Sequence, residues 1–135
     1  MTPEELAKYH AAKVEREKAD EAKMKEQEAI ERQRIDDQNN TAERALESAV
    51  SFLTATRAAM GSSFEFNLVR DTSNKAVGIN LRVDNANAEI KKSPHGDVSA
   101  KFQTRSVRGL YDEIRNAGDI TDRKLGELIK TLIDG

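Results

Sequence analysis

The residue types that first suggest chemistry in this chain are its two histidines. His95 lies between Ser93 and Asp97, and these three side chains are the types of a base, a nucleophile and an orienting acid. All three fall in one short turn-forming stretch, whereas a catalytic site of this kind needs a surrounding pocket. His10 lies far away in a highly charged segment, and no cysteine is present to complete a zinc site. We therefore expect no catalytic residue, no cofactor and no metal.

Loops that bind phosphate or calcium are not indicated either. The seven glycines match neither the G-x-G-x-x-G pattern nor the Walker pattern. The sequence Asp84-Asn85-Ala86-Asn87 begins like a calcium loop, but its twelfth position is His95, where a bidentate glutamate is required. A turn is the better interpretation of this stretch, and we expect a protein that is not an enzyme.

Four basic side chains, called the basic quartet below, are the candidates for binding nucleic acid. They are Arg82, Lys91, Lys101 and Arg105, which are predicted to share the polar face of a sheet. Residues 63–105 carry a formal charge of +2, and their polar face offers no aromatic side chain on which a base could stack. Charge alone gives weak and salt-sensitive binding. Weak single-stranded nucleic-acid binding through the quartet is therefore the alternative function.

The sheet that must position these residues is predicted from residues 64–105. Apolar residues alternate with polar ones in four segments: Phe64, Phe66 and Leu68; Val77, Ile79, Leu81 and Val83; Ala88 and Ile90; and Val98, Ala100, Phe102 and Thr104. Alternate side chains leave opposite faces of a strand, so this pattern predicts a four-stranded antiparallel meander with one apolar face. Residues 71–74, 84–85 and 93–97 have turn-forming composition. The polar face is expected to carry Glu65, Asn67, Asn80, Arg82, Glu89, Lys91, Lys101, Gln103 and Arg105.

A long charged helix is predicted before the sheet. Thr2, Pro3 and Glu4 combine an N-cap hydroxyl, a proline at the first helical position and an acid in the first turn. The helix runs to about Asp36 without glycine or proline, and its few large apolar residues keep no heptad register. It is either a solvated helix or an arm that serves self-association or partner binding.

The polar residues 36–40 are the predicted joint between this arm and a compact domain. We therefore predict a charged helical arm at 1–39 and an α+β domain at 40–135. A second helix with Leu46, Val50 and Leu53 on one stripe then covers the sheet and ends near Gly61. One uninterrupted helix to about residue 60 is the alternative that the sequence leaves open.

Two further helices are predicted after the sheet. Ser106 is expected to cap the first, with Leu110, Tyr111, Ile114 and Ala117 along it and Gly118 at its end. Thr121 is expected to cap the last, with Leu125, Leu128, Ile129, Leu132 and Ile133.

Two resemblances follow from this predicted order of elements. Residues 106–133 loosely resemble a helix-turn-helix, although acidic residues on the second helix disfavour phosphate contacts. Residues 64–117, read as four strands and a helix, resemble the order of elements in single-strand binders of the transcriptional positive-cofactor and Whirly type. That resemblance implies binding of single-stranded nucleic acid on the sheet.

The composition of the chain indicates its broad class and its compartment. The chain has 135 residues, a net charge of −2 and 34% charged residues, so a general polyanion binder is disfavoured. It has no cysteine, no long apolar run and no signal-peptide pattern, which favours a soluble cytoplasmic protein. We expect an α+β fold: a four-stranded antiparallel meander covered by helices on one face, with a long charged N-terminal helix. The expected function is a protein-interaction module, an accessory factor or inhibitor of a larger protein assembly, which self-associates as a homodimer.

Overall fold

The computed structural model describes residues 1–135 and contains two α-helices and one antiparallel sheet. Helix α1 spans Pro3–Met60 and is followed by a 3-10 turn, Gly61–Ser63. The strands are β1 Phe64–Arg70, β2 Ala76–Val83, β3 Ala86–Lys92, β4 Val98–Gln103 and β5 Arg108–Leu110. A second 3-10 turn, Ala117–Asp119, precedes helix α2, Asp122–Asp134. The chain divides into two compact units, Met1–Ile35 and Asp36–Gly135. The predicted α+β class is confirmed, with five strands instead of four.

The start of α1 is a capping box. The Thr2 hydroxyl accepts a hydrogen bond from the Glu5 backbone N–H at 3.2 Å, and the Thr2 N–H donates to the Glu5 carboxylate at 3.4 Å. Each bond satisfies a backbone donor that the helix cannot pair internally. The predicted N-cap is therefore confirmed. Within the first unit every residue is exposed except Val14 and Ile35, which are half-buried.

The predicted joint at residues 36–40 is not a break, and the alternative of one continuous helix is what forms. Asparagine usually disfavours a helix interior because its side chain competes for nearby backbone groups. Here the Asn39 side chain is used elsewhere, since its Nδ2 donates to the Pro94 carbonyl at 2.9 Å and its Oδ1 accepts from Lys92 Nζ at 2.6 Å. Thr41 likewise donates its hydroxyl to the Asp37 carbonyl within the helix.

The five strands form a meander in the order β1-β2-β3-β4-β5. Three rows of facing residues build the apolar face: Phe64, Val83 and Ala86; Phe66, Leu81, Ala88 and Phe102; and Leu68, Ile79, Ile90 and Ala100. All of these except Ala86 are positions that the alternation predicted, but the predicted place of Val77 among them is wrong, because the register shift between Val69 and Arg70 leaves Val77 without a partner on β1 and Ala76 is the buried residue. Apart from Val77, the predicted faces of all four strands are confirmed.

Two helical segments provide the cover for this face. The second part of α1 buries Ala42, Leu46, Ala49 and Leu53, and α2 buries Leu125, Leu128, Ile129 and Leu132. Helix α2 packs against β2 and β3. Its predicted N-cap is confirmed, since Thr121 accepts a hydrogen bond from the Lys124 N–H. Ile133, however, is exposed rather than part of the core.

The helix predicted from Ser106 is wrong. The chain reverses instead, because the Thr104 N–H donates to the Val107 carbonyl at 2.7 Å and the Thr104 hydroxyl accepts from the Val107 N–H at 3.0 Å. The reversal lays β5 antiparallel to β4. A glycine at position 109 also disfavours a helix. The helix-turn-helix therefore lacks its first helix, and the order of four strands followed by a helix does not occur at 64–117.

Candidate functional site

The polar face of the sheet is an ordered grid of side chains. The strand register places three rows on it: Glu65, Arg82, Asn87, Gln103 and Arg108; Asn67, Asn80, Glu89, Lys101 and Leu110; and Val69, Gly78, Lys91 and Ser99. Adjoining depressions of about 390 Å³ and 380 Å³ share Asn87 and Glu89 in their walls. Both are shallow and open outwards, so this face is suited to surface contacts rather than to enclosing a small molecule.

Acidic residues are interspersed with the basic quartet. The Arg82 guanidinium contacts the Glu65 carboxylate at 2.6 Å, and Lys91 Nζ contacts the Glu89 carboxylate at 2.7 Å. Lys101 faces Glu89 across the β3–β4 pair. These pairs reduce the positive potential that would attract a phosphate backbone. The nucleic-acid interface stays a prediction.

The fourth member of the quartet lies elsewhere. Arg105 belongs to the turn between β4 and β5 and not to a strand, so the structure brings together three members on one face. The predicted position of Arg105 on the sheet face is corrected accordingly. Sequence reasoning missed Arg108, which lies on the polar face opposite Gln103. The alternation that would have identified it begins only after the reversal at Thr104.

The stretch that contains His95 is a closed turn. The Ser93 hydroxyl accepts hydrogen bonds from the His95 N–H at 3.3 Å and the Asp97 N–H at 3.0 Å, and the Ser93 N–H donates to the Asp97 carbonyl at 2.7 Å. The serine oxygen therefore stabilises the turn. His10 is exposed on α1. No group of three or more histidine, aspartate or glutamate side chains is close enough to hold a metal ion.

Two groups with a shifted pKa lie in the C-terminal segment. Burial raises the pKa of Tyr111, with further contributions from the Glu127 and Glu113 carboxylates. The hydrogen bond from Lys124 Nζ, 2.7 Å long, lowers the pKa of Asp119, and the N–H of Arg115 contributes to this shift. These groups tie the segment before α2 to the helix. The pKa shift of Tyr111 follows mainly from burial and that of Asp119 from hydrogen bonds, and the two groups do not converge on one cavity.

The first unit offers a second type of surface. Four large apolar side chains are exposed along its helix: Leu6, Tyr9, Met24 and Ile30, each between 52% and 63% exposed. Leu6 and Tyr9 are three residues apart, so they lie side by side on one helical face. Met24 and Ile30 are six residues apart, so they lie about 120° apart around the helix axis and do not share one face. The surface is a charged helix with one apolar pair near its start.

Comparison of the chain with known protein families, with curated proteins and with solved structures found no significant match. None of the helices combines the length and the apolar composition required to span a bilayer.

Proposed function

We propose that this protein is a non-enzymatic, cytoplasmic interaction module that binds a larger protein assembly as an accessory factor or inhibitor. The first unit, Met1–Ile35, provides the binding element, and the second unit, Asp36–Gly135, is the folded body, which self-associates as a homodimer. No second function is proposed, since the ion pairs of Arg82 and Lys91 with neighbouring glutamates lower the positive potential that would attract a nucleic acid.

The observation that carries this proposal is the exposure of the first unit. Its helix has only two half-buried side chains, Val14 and Ile35, and no buried one. A charged helix gains only a few tenths of a kcal/mol from each i,i+4 ion pair, which is little support for a segment of this length. A helix that remains almost entirely exposed is a suitable element for docking into a groove on another protein.

The location of the buried residues also supports the first unit as binding element and the second unit as folded body. All buried residues lie between Ala42 and Leu132, so the sheet is covered by side chains of the second unit itself. The first unit therefore contributes nothing to the buried core. Its side chains are available to a partner without any cost in the stability of the body.

The apolar pair near the start of the helix is the best candidate for an anchor. Leu6 is 52% exposed and Tyr9 is 61% exposed, and interface energy is concentrated in a few aromatic and large side chains. The surrounding charged residues would form a polar rim around this pair. We expect the partner to offer an apolar pocket for Tyr9 with mixed charges around it.

Site-specific photocrosslinking in the native host tests this proposal. A benzoyl-phenylalanine replacing Tyr9 should give discrete adducts of higher mass, and Leu6→Glu in the same chain should abolish them. The control is the same photoreactive residue in place of Ser99, on the exposed polar face of the sheet, which should give none. Adducts from the Ser99 position alone, or adducts at Tyr9 that are insensitive to Leu6→Glu, would refute the assignment of the first unit as the binding element.

A further inference from the structure

The open edge of the sheet at β5 has backbone groups that no strand of this chain pairs. The Tyr111 N–H donates to the Ala100 carbonyl, and the Thr104 N–H donates to the Val107 carbonyl. In an antiparallel ladder, every second residue of a strand bonds to the same neighbouring strand. Val107 and Tyr111 bond on the side of β4, so the backbone groups of Gly109, which lies midway between them, also point toward β4. The N–H and C=O groups of Arg108 and Leu110 therefore point away from the sheet.

Exposed apolar side chains accompany this open backbone. In the second unit three large apolar residues are exposed, and two of them, Val107 at 53% and Leu110 at 61%, flank or belong to β5. Leu110 lies on the polar face, opposite Lys101, and Val107 lies at the margin of the other face. A β-carbon built on Gly109 would meet nothing within 4 Å, so the space over this strand is open as well.

The other free edge of the sheet, β1, is protected in ways that β5 is not. Its pairing with β2 shifts register between Val69 and Arg70, where Val77 of β2 is left without a partner, and such a bulge increases the local twist at this end of the edge. Its ends carry the ion pairs of Glu65 with Arg82 and of Arg70 with Glu47. None of its apolar side chains is exposed. An added strand is therefore expected at β5 rather than at β1.

We infer that β5 pairs antiparallel with β5 of a second copy of this chain, around a two-fold axis at Gly109, so that two sheets join into one. This inference rests on the self-association included in the proposed function and names its surface. In this register Arg108 faces Leu110 of the second copy, and the outward backbone groups of both residues pair in four hydrogen bonds across the axis. Val107 faces Tyr111 of the second copy on the other side of the sheet.

The two other symmetric registers that would pair outward backbone groups are less complementary. An axis at Arg108 would place the two Arg108 guanidinium groups opposite each other, which is destabilising. An axis at Leu110 would leave Arg108 beyond the end of the partner strand, because Leu110 is the last residue of β5. The axis at Gly109 uses all three residues of β5 and covers both exposed apolar side chains.

Sedimentation velocity on the full-length chain over a concentration series tests the inference through charge pairs. Leu110→Glu places a carboxylate opposite Arg108 of the second copy and beside Lys101 of its own chain. The dimer should therefore persist, with a Kd within about tenfold of the unmodified chain. In the double variant Arg108→Glu with Leu110→Glu, position 108 of each copy faces position 110 of the other, so two pairs of carboxylates repel each other across the axis. The Kd of this variant should weaken roughly tenfold or more.

Each other outcome contradicts the inference in a different way. If Leu110→Glu alone dissociates the dimer, the axis at Gly109 is wrong, since an axis at Leu110 or an unstructured apolar contact predicts that result. If the dimer survives the double variant, self-association remains but does not use β5. If the unmodified chain is monomeric throughout, the β5 pairing and the proposed dimer fail together, whereas the photocrosslinking at Tyr9 still tests the binding element by itself. Far-ultraviolet circular dichroism melting checks that each variant is folded.

Discussion

Gly96 provides the sharpest test of how the sheet is fixed to α1. This residue lies in the β3–β4 turn, is buried and has a φ of 88°, in the left-handed region. A β-carbon there would lie 2.6 Å from the Gln38 carbonyl carbon and 2.7 Å from the Asn39 nitrogen. Both are backbone atoms of a helix, which cannot rotate away as a side chain can. Gly96→Ala must therefore displace the turn from α1.

A matched control separates the backbone strain from the steric contact. Gly61 has a similar φ of 69°, but a β-carbon there would meet nothing within 4 Å. Alanine in the left-handed region costs about 1–2 kcal/mol, of which about 0.4–1 kcal/mol is offset by the lower entropy of the unfolded chain. This part is common to both substitutions. Gly61→Ala should therefore lower the free energy of unfolding by about 1 kcal/mol.

The additional cost at Gly96 comes from the contact with the helix. Relief of an overpacked contact costs about 1–3 kcal/mol. Movement of the turn also weakens the hydrogen bonds of Asn39 with the Pro94 carbonyl and with Lys92, each worth about 0.5–1.5 kcal/mol. We expect Gly96→Ala to be about 2–4 kcal/mol less stable than Gly61→Ala. Urea unfolding followed by circular dichroism measures both, and equal midpoints with equal slopes would show that the turn does not rest on α1 as described.

The remaining predictions concern the core, the first unit and the polar face. Ile79→Asp places an unpaired charge in the apolar layer and should unfold the second unit, whereas Asn80→Asp should change the melting temperature little; similar melting temperatures would refute the register. Deletion of residues 1–35 should leave a folded chain with nearly the same melting temperature, because those residues bury no core side chain; a fall of many degrees would contradict the division into units. Alanine at all four positions of the basic quartet should preserve the fold and weaken any single-strand binding measured by fluorescence anisotropy at low salt. No binding by the unmodified chain would eliminate that alternative.

The strands could be predicted because burial alone decides them. Ile79, Leu81 and Val83 alternate with polar residues, and a shift of one residue would put every one of them in water. The same pattern recurs in each of the four predicted strands, so each one supports the others. The two capping threonines were equally accessible to sequence reasoning, since a cap depends only on residues within one turn of the helix.

The interpretation of residues 36–40 failed for a reason that local sequence cannot show. Asn39 is a poor residue for a helix interior when its side chain can bond to its own backbone. In the folded chain that side chain bonds to Lys92 and to the Pro94 carbonyl, more than 50 residues away in the sequence. A distant contact thus removes the competition that makes asparagine a helix breaker, and α1 continues through it.

The error at residues 106–117 has a related cause and bears on function. Leu110, Tyr111 and Ile114 have helical spacing, and that spacing predicts a helix only if all of them turn toward one core. The three side chains are not buried in one core: Ile114 is buried, Tyr111 packs edge-on against Phe102, and Leu110 is 61% exposed. Leu110 is therefore the least covered of the three within its own chain. Pairing of β5 with a second copy would place it opposite Arg108 of that copy, so the residue that misled the helix prediction is also one of the two residues that the dimer test changes.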